Sequence, residues 1–197
     1  MSTLSLETTP QQQRELERFY FHEARLLDNR QYRQWLALLS EDIRYLLPSR
    51  VNVQVDNRER GQESMISVAR ELEGEDSMGC PLREENYLLL SLRAERAYKI
   101  NSWSESPPAR TRRLVGNIEL LAREDGGGAD EVAGAVQQLS TVSNFHLYYT
   151  RPGSENVLYS GQRCDTLAVT PAGFRLRRRE VILDYATIDL PTLGLFF

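Results

Sequence analysis

The stretch Val157–Tyr185 constrains the fold of this chain more than any other, because it predicts two long strands joined by a tight turn. Residues 157–169 are rich in β-branched and apolar side chains, which favour a strand. In the turn that follows, Pro171 fixes φ and Gly173 accepts a positive φ. Strands of about ten residues or more exceed the usual five or six. Such a hairpin requires a large curved sheet, and other segments must fill its concave side.

The second strand of this hairpin runs from Phe174 to Tyr185, and its apolar residues change parity. Leu176 shares a face with Phe174, whereas Val181 and Leu183 occupy the opposite parity. This switch, across residues 177–180, predicts a β-bulge or a strand that changes the face it buries.

The same strand carries four arginines, at positions 175, 177, 178 and 179. They would alternate between faces, and no aromatic residues interleave with them. The chain has 24 Lys and Arg against 28 Asp and Glu, a net charge of −4. This mild acidity argues against a nucleic-acid partner, since such proteins normally present a basic face. We therefore expect these arginines to lie in solvent or at a subunit contact.

Two amphipathic helices are predicted near the N-terminus, after a loose arm at residues 1–8. Thr9 is placed to cap the first helix, with Pro10 at its first position and Gln12 as capping-box partner. Apolar residues then recur at helical spacing. The predicted stripes are Leu16, Phe19, Tyr20, Ala24 and Leu27 in the first helix and Tyr32, Trp35, Leu36 and Leu39 in the second.

The remaining elements are mostly strands, which predicts an α+β fold. A strand is predicted at 43–47, and Val51, Val53 and Val55 continue it past Pro48. A polar excursion follows at 56–85, with a short helix over 64–72. The chain then forms a helix at 87–98, a strand at 114–122 and an extended segment over 132–150. We expect one domain over residues 1–197, with N-terminal helices packed in the concave face of a strongly curved, mainly antiparallel sheet. Tyr148 and Tyr149 should straddle that sheet.

Membrane and export signals are missing from the sequence as given. No apolar run reaches the roughly 18 residues that a spanning helix needs, and the first residues lack the basic and apolar regions of a signal peptide. Cys80 and Cys164 form no motif, which fits a reducing compartment. We therefore expect a cytoplasmic protein with no membrane partner.

The residues that could bind a metal are few and scattered. A facial triad for non-haem iron needs two histidines and a carboxylate, and the chain has only His22 and His146, far apart in sequence. Cys80 and Cys164 have no Cys or His at zinc or iron–sulfur spacing. There is no Walker sequence and no Gly-x-Ser-x-Gly. We expect no metal, cofactor or catalytic residue in this chain.

Acid–base catalysis in an apolar pocket remains an alternative for such a fold. Its candidates are Asp42, Asp165, His146 and Tyr45. The simpler interpretation makes Asp42 a loop or capping residue beside Ser40. It makes Asp165 an outward-facing strand position.

Three segments together resemble the small, or β, subunit of aromatic-ring-hydroxylating dioxygenases, the Rieske non-haem iron oxygenases. They are Phe19–Asp28 with Trp35–Leu39 and Asp42–Tyr45, Trp103–Arg112 with Leu114–Asn117, and Arg177–Asp184 with Leu195–Phe197. The Pro107-Pro108-Ala109-Arg110-Thr111-Arg112 block is the most specific part. The stretch 71–81 departs from the family pattern.

The resemblance implies a cone of the nuclear-transport-factor-2 type and a structural role in a complex with a larger α subunit, as three copies of each. The Rieske [2Fe-2S] cluster and the mononuclear Fe(II) would belong to the α subunit. The complex would convert an aromatic ring to a cis-dihydrodiol with O₂, and electrons would come from NAD(P)H through ferredoxin and reductase partners. The alternatives are a free-standing dehydratase or isomerase of the same fold and a small-ligand-binding module.

Subunit-contact residues are predicted from the types that anchor interfaces, chiefly Trp and Arg, and from prolines, which reduce the entropy lost on ordering. The candidates are Trp103, Pro107, Pro108, Arg110, Arg112, Phe196 and Phe197. An alternative is that Trp103 fills the cone while the arginines pair with local acids such as Glu105.

Overall fold

The computed structural model describes residues 8–54, 58, 60–73, 81–99, 107–124, 137–186 and 194–197. The helices are α1 (Pro10–Asp28), α2 (Tyr32–Leu36) and α3 (Tyr87–Arg96), with 3₁₀ turns at Glu63–Ile66 and Val68–Glu71. The strands are β1 (Leu39–Leu47), β2 (Ser49–Arg50), β3 (Leu72–Glu73), β4 (Arg83–Glu85), β5 (Arg110–Glu124), β6 (Gln138–Thr150), β7 (Val157–Thr170) and β8 (Gly173–Leu183). Within these ranges, no helix combines the length and the hydropathy needed to cross a bilayer.

Six strands form one sheet in the order β4-β1-β8-β7-β6-β5. The four long strands β5–β8 pair antiparallel, as expected, but β1 runs parallel to β8, so the sheet is mixed. Register shifts in the β1–β8, β5–β6 and β7–β8 pairs mark bulges, which bend and twist a sheet. Helix α1 crosses the inner face and hydrogen-bonds to side chains of β6, β7 and β8.

The β7–β8 hairpin has the predicted form. Gly173 adopts φ of 110°, and the Thr170 hydroxyl donates to the Gly173 carbonyl at 2.6 Å. The predicted parity switch in β8 is a bulge at Arg177, where the register shifts opposite Thr166 and Leu167. As a result, Leu176 and Arg179 are both buried.

The start of α1 is also as predicted. The Thr9 hydroxyl accepts the Gln12 N–H at 3.2 Å, and the predicted stripe of α1 is buried. Helix α2, however, has only five residues. The predicted helical residue Leu39 instead begins β1, because sheet pairing takes over the backbone there: the Leu176 N–H donates to the Leu38 carbonyl at 2.9 Å.

The middle of the chain differs most from expectation. The predicted strand through Val51 and Val53 is limited to Ser49–Arg50, which pairs with β3 in a separate two-stranded sheet, and Val55 lies outside the described residues. The predicted helix over 64–72 is two 3₁₀ turns. Helix α3 exists, capped by the Asn86 side chain, and it buries Leu90 and Ala94.

Trp35 lies at the centre of the core, with 0% of its surface exposed. Its ring lies 4.5 Å from the ring of Phe196, and its Nε1 donates to Glu23 at 3.0 Å. The side chain thus joins α2 to α1 and to the last residues of the chain.

Replacing Trp35 with Ala should lower the free energy of unfolding by about 3–5 kcal/mol, because it removes a large buried side chain. Thermal or urea unfolding of the purified full chain measures this change. The control is Phe21→Ala, whose ring is half-exposed on α1, and which should change stability by only about 0.5 kcal/mol. Equal effects of the two substitutions would contradict the central position of Trp35.

Candidate functional site

The four acid–base candidates do not come together. Asp42 is exposed and accepts a hydrogen bond from Arg177 at 2.7 Å, and His146 is exposed on the outer face of the sheet. Tyr45 and Asp165 are buried in the cone. The interpretation of Asp165 as an outward-facing strand position is therefore wrong: it shares the inward parity of Tyr159 and Leu167 on β7.

Asp165 belongs to a buried ion network with Arg179 at its centre. Arg179 donates through Nε and Nη2 to the two Asp165 oxygens at 2.9 and 2.8 Å. It also donates through Nη1 and Nη2 to the two Glu23 oxygens at 2.7 and 2.9 Å. One guanidinium thus holds two carboxylates, each in the bidentate geometry that makes such pairs strong.

The carboxylate oxygens of Glu23 and Asp165 also accept hydrogen bonds from other side chains. Trp35 donates to Glu23, and Arg163 lies 3.5 Å from its second oxygen. Tyr20 donates to Asp165 at 3.0 Å, and its hydroxyl lies 2.6 Å from that of Thr141. Both buried carboxylates therefore have hydrogen-bond or ion-pair partners for each of their oxygens.

The pKa shifts follow from burial opposed by pairing. Burial alone would raise the pKa of Glu23, but the charges of Arg179 and Arg163 outweigh it and lower the pKa to about 2. Burial, together with the charge of Arg179, lowers the pKa of Arg163 to about 10. Burial and the Asp165 charge raise the pKa of Tyr20 well above its usual value. At neutral pH Glu23 stays ionised and Tyr20 keeps its proton, so neither is suited to proton transfer.

The arginines of β8 divide between two environments. Arg177 and Arg178 are exposed, and Arg175 is half-buried. Arg179 is fully buried, so the expectation of a solvent or subunit-contact position is wrong for this residue. The bulge at Arg177 is the cause, since it turns Arg179 to the inner face.

Sequence reasoning missed Glu23, Arg163 and the inward direction of Arg179. Glu23 lies on the buried α1 stripe with Tyr20 and Leu27, and a charge on an apolar stripe signals a buried ion pair. Arg163 lies on β7 at the same parity as Tyr159 and Leu167. The helical spacing of Glu23 and the strand alternation of Arg163 were therefore both visible in the sequence.

Metal ligands do not cluster among the residues that the structure describes, where no three His, Cys, Asp or Glu side chains lie together. His22 is half-buried on α1, with its Nδ1 2.9 Å from Arg25, and His146 lies on the outer face of β6. Burial raises the pKa of Cys164, which is half-buried, and Cys80 falls outside the described residues. The histidines and Cys164 do not fit a metal centre.

The predicted contact residues fall into three groups. Trp103 lies outside the described residues, and so does Glu105, the alternative partner of the arginines. Pro107, Pro108, Arg110 and Arg112 are exposed. Phe196 and Phe197 are buried within this chain, which leaves almost none of their surface for a partner.

An exposed region on the outer face of the sheet, here called the outer-face patch, begins at Arg110 and Arg112. Its members are Arg110, Arg112, Leu114, His146, Tyr148 and Leu158. The strand register aligns Arg112 with Tyr148, and Tyr148 with Leu158. Leu114 is 70% exposed, and beside it a surface cleft of about 310 Å³ opens at the bulge around Asn117.

Replacing Glu23 with Gln should cost roughly 3–5 kcal/mol of stability, because it leaves Arg179 and Arg163 partly unpaired in the core. Glu23 has its pKa lowered in the fold from 4.5 to about 2. Its ionisation therefore stabilises the fold above about pH 4.5 and ceases to do so as the pH falls toward 2. The stability difference between wild type and Glu23→Gln, measured by urea unfolding, should shrink between pH 7 and pH 3.

The matched control is Glu15→Gln, an exposed position on the same helix. It should show little effect at either pH. A Glu23→Gln difference that is constant from pH 7 to pH 3 would contradict the ionised, arginine-paired state of Glu23.

Comparisons with known proteins agree over nearly the whole chain. A sequence model described as the ring-hydroxylating beta subunit matches residues 22–190. The chain is 33% identical over 190 residues to the biphenyl 2,3-dioxygenase subunit beta of Rhodococcus jostii, and 31% identical over 191 residues to the benzene 1,2-dioxygenase subunit beta of Pseudomonas putida. Each match covers 95% of this chain and 90% of the relative.

Among solved structures, naphthalene 1,2-dioxygenase with indole bound in its active site contains a similar chain. The TM-score is 0.72 at 21% identity, over 98% of this chain and 89% of the other. This likeness confirms the expected fold, a cone of the nuclear-transport-factor-2 type.

Proposed function

The chain belongs to the family of ring-hydroxylating β subunits, and from this premise we propose that it is the non-catalytic assembly subunit of an aromatic-ring-hydroxylating dioxygenase. One observation carries the non-catalytic role: the buried acids Glu23 and Asp165 are both held by Arg179. These buried charged side chains pair with one another, and this pairing stabilises the fold.

A free-standing dehydratase or isomerase is the weaker alternative. Such an enzyme needs an acid or base that can reach a substrate and exchange a proton near neutral pH. Tyr45 faces the interior, but its hydroxyl is bonded to the backbone of Phe197, and burial raises its pKa. Asp165 accepts from Arg179 and Tyr20, so neither residue is available.

In this proposal the α subunit holds the Rieske [2Fe-2S] cluster and the mononuclear Fe(II), and the assembly is α3β3 in the cytoplasm. The α subunit carries out the dihydroxylation of an aromatic ring with electrons delivered by a ferredoxin and a reductase. The positions of His22 and His146 support this division, since one lies on α1 and the other on the outer face of β6. This chain contributes contacts and no ligand to iron.

The purified chain should be colourless and should contain no stoichiometric iron, because His22 and His146 lie on separate elements and no cluster of metal ligands occurs among the described residues. Elemental analysis and an absorption spectrum measure this directly. The co-purified α–β complex is the positive control and should show Rieske absorption. Iron in proportion to this chain, retained after chelation and gel filtration, would contradict the proposal.

The outer-face patch is the proposed contact surface. It combines arginine, tyrosine and leucine, and Arg and Tyr are enriched at interfaces. Tyr148 is 43% exposed and Leu158 is 49% exposed, although they are cross-strand neighbours in the middle of a sheet. Pro107 and Pro108 precede the patch and are also exposed, and their fixed φ angles reduce the entropy lost when the segment is ordered against a partner.

Replacing Arg110 and Arg112 together with Ala should leave the fold intact and weaken assembly. Both side chains are exposed at the start of β5, so their removal should cost the fold little stability. Interface arginines, in contrast, often carry much of the binding energy. Circular dichroism measures the fold, and analytical ultracentrifugation of the co-expressed complex measures assembly.

The matched control is Arg14→Ala with Arg18→Ala, which removes the same charge from the exposed face of α1. Assembly of this variant should resemble the wild type. If both double variants assemble equally well, or if only the β5 variant loses its fold, the contact role of Arg110 and Arg112 is wrong.

A further inference from the structure

The segment 194–197 ends in the core, where Phe196 and Phe197 are buried, yet it belongs to no strand or helix. Side chains hold three of its consecutive carbonyl groups. Arg93 donates to the Leu195 carbonyl at 2.9 Å, and Arg113 donates to that of Phe196 at 2.6 Å. Side chains, in place of a sheet ladder, therefore fix its backbone, as happens when a protein binds a short peptide.

Phe197 is held most completely. The Tyr45 hydroxyl donates to its carbonyl at 2.8 Å and accepts its N–H at 2.9 Å, and Arg179 adds a bond to the same carbonyl at 3.3 Å. The donors come from α3, β5, β1 and β8, so the segment links the edge strand β5 to β1 and β8, which lie toward the other side of the sheet.

Two aromatic subsites receive the rings. The Phe196 ring lies 4.5 Å from that of Trp35 and 5.4 Å from that of Tyr32, with the Arg93 guanidinium 4.0 Å from its centre. The Phe197 ring lies 5.7 Å from that of Tyr159 and 6.1 Å from that of Phe145. Both phenylalanines are almost fully buried.

The charges around the segment are balanced without it. Arg93 pairs with Glu85 at 2.7 Å and Arg113 pairs with Asp28. Arg179 and Arg163 together face the two acids Glu23 and Asp165. The arginines thus present N–H donors while their charges are neutralised locally. Such a site favours neutral carbonyl groups flanked by aromatic rings.

We propose that residues 194–197 occupy a preformed peptide-binding site, so that the chain is tethered to its own ligand. The chemical class recognised is a neutral peptide of the form Leu-Phe-Phe, read through its carbonyls and its two rings. This inference goes beyond the assembly role, because it assigns to the cone interior a recognition site that residues 194–197 occupy within the same chain. Tethering gives the segment a high effective concentration, which excludes a free peptide from the wild-type chain.

The test uses the full chain with Phe196→Ala and Phe197→Ala, which empties both aromatic subsites. The probe is N-acetyl-Leu-Phe-Phe-amide, and N-acetyl-Leu-Ala-Ala-amide is the matched control. Calorimetric titration and thermal melting should show saturable binding of the phenylalanine peptide to the variant and none to the wild type. Adding Tyr45→Phe, which removes both bonds to Phe197, should weaken this binding by about tenfold.

A variant with native circular dichroism that does not distinguish the two peptides would overturn the proposal, and so would equal binding by the wild type. If the double variant does not fold, the full chain with Phe197→Ala alone is tested with toluene as the probe. A saturable rise in its melting temperature, absent from the wild type, is expected, because an empty apolar cavity binds a small aromatic molecule. No rise would overturn the proposal.

Discussion

The bidentate pairing of Arg179 with both Glu23 and Asp165 is the interaction on which the interior of this protein depends. A buried charge is costly unless it is paired and hydrogen-bonded. Helix α1 brings Glu23, and strands β7 and β8 bring Asp165 and Arg179, so the network joins these three elements directly. The same guanidinium reaches the Phe197 carbonyl. The network therefore specifies how the helix, the hairpin and the segment 194–197 fit together.

This use of the interior has a consequence for function. A cone with a free acid or base inside could act on a small molecule, but here the inward-facing acids Glu23 and Asp165 serve cohesion. In the proposed assembly the outer surface meets the partner subunit, and there Arg112, Tyr148 and Leu158 form a row across three strands. Such a protein suits a role in assembly, because its packed core supports an outer surface on which arginine and tyrosine side chains are exposed.

Much of the fold could be predicted because its signals are local. Pro171 and Gly173 define the hairpin turn, the parity change in β8 marks the bulge, and Thr9 with Pro10 marks the start of α1. The position of Trp35 on an apolar stripe predicts that it lies in the core, as it does. These features depend on backbone preferences and on the periodicity of neighbouring residues, which a sequence displays directly. The end of α2 was missed because pairing of β1 with β8 overrides the helical spacing at Leu39.

The sequence by itself determined the long hairpin and the helical stripes, because each is recorded in residues that are close along the chain. It also determined the family, because each of the three segments that carry the resemblance can be read without knowing the fold. Only the tertiary structure decided how the buried charges pair. Glu23 and Arg179 are 156 positions apart in sequence, and no local pattern names the partner that a buried charge will meet. The same reason applies to the parallel pairing of β1 with β8 and to Phe197, whose donors come from separate elements. Long-range complementarity of charge and hydrogen bonding exists only when the chain is folded.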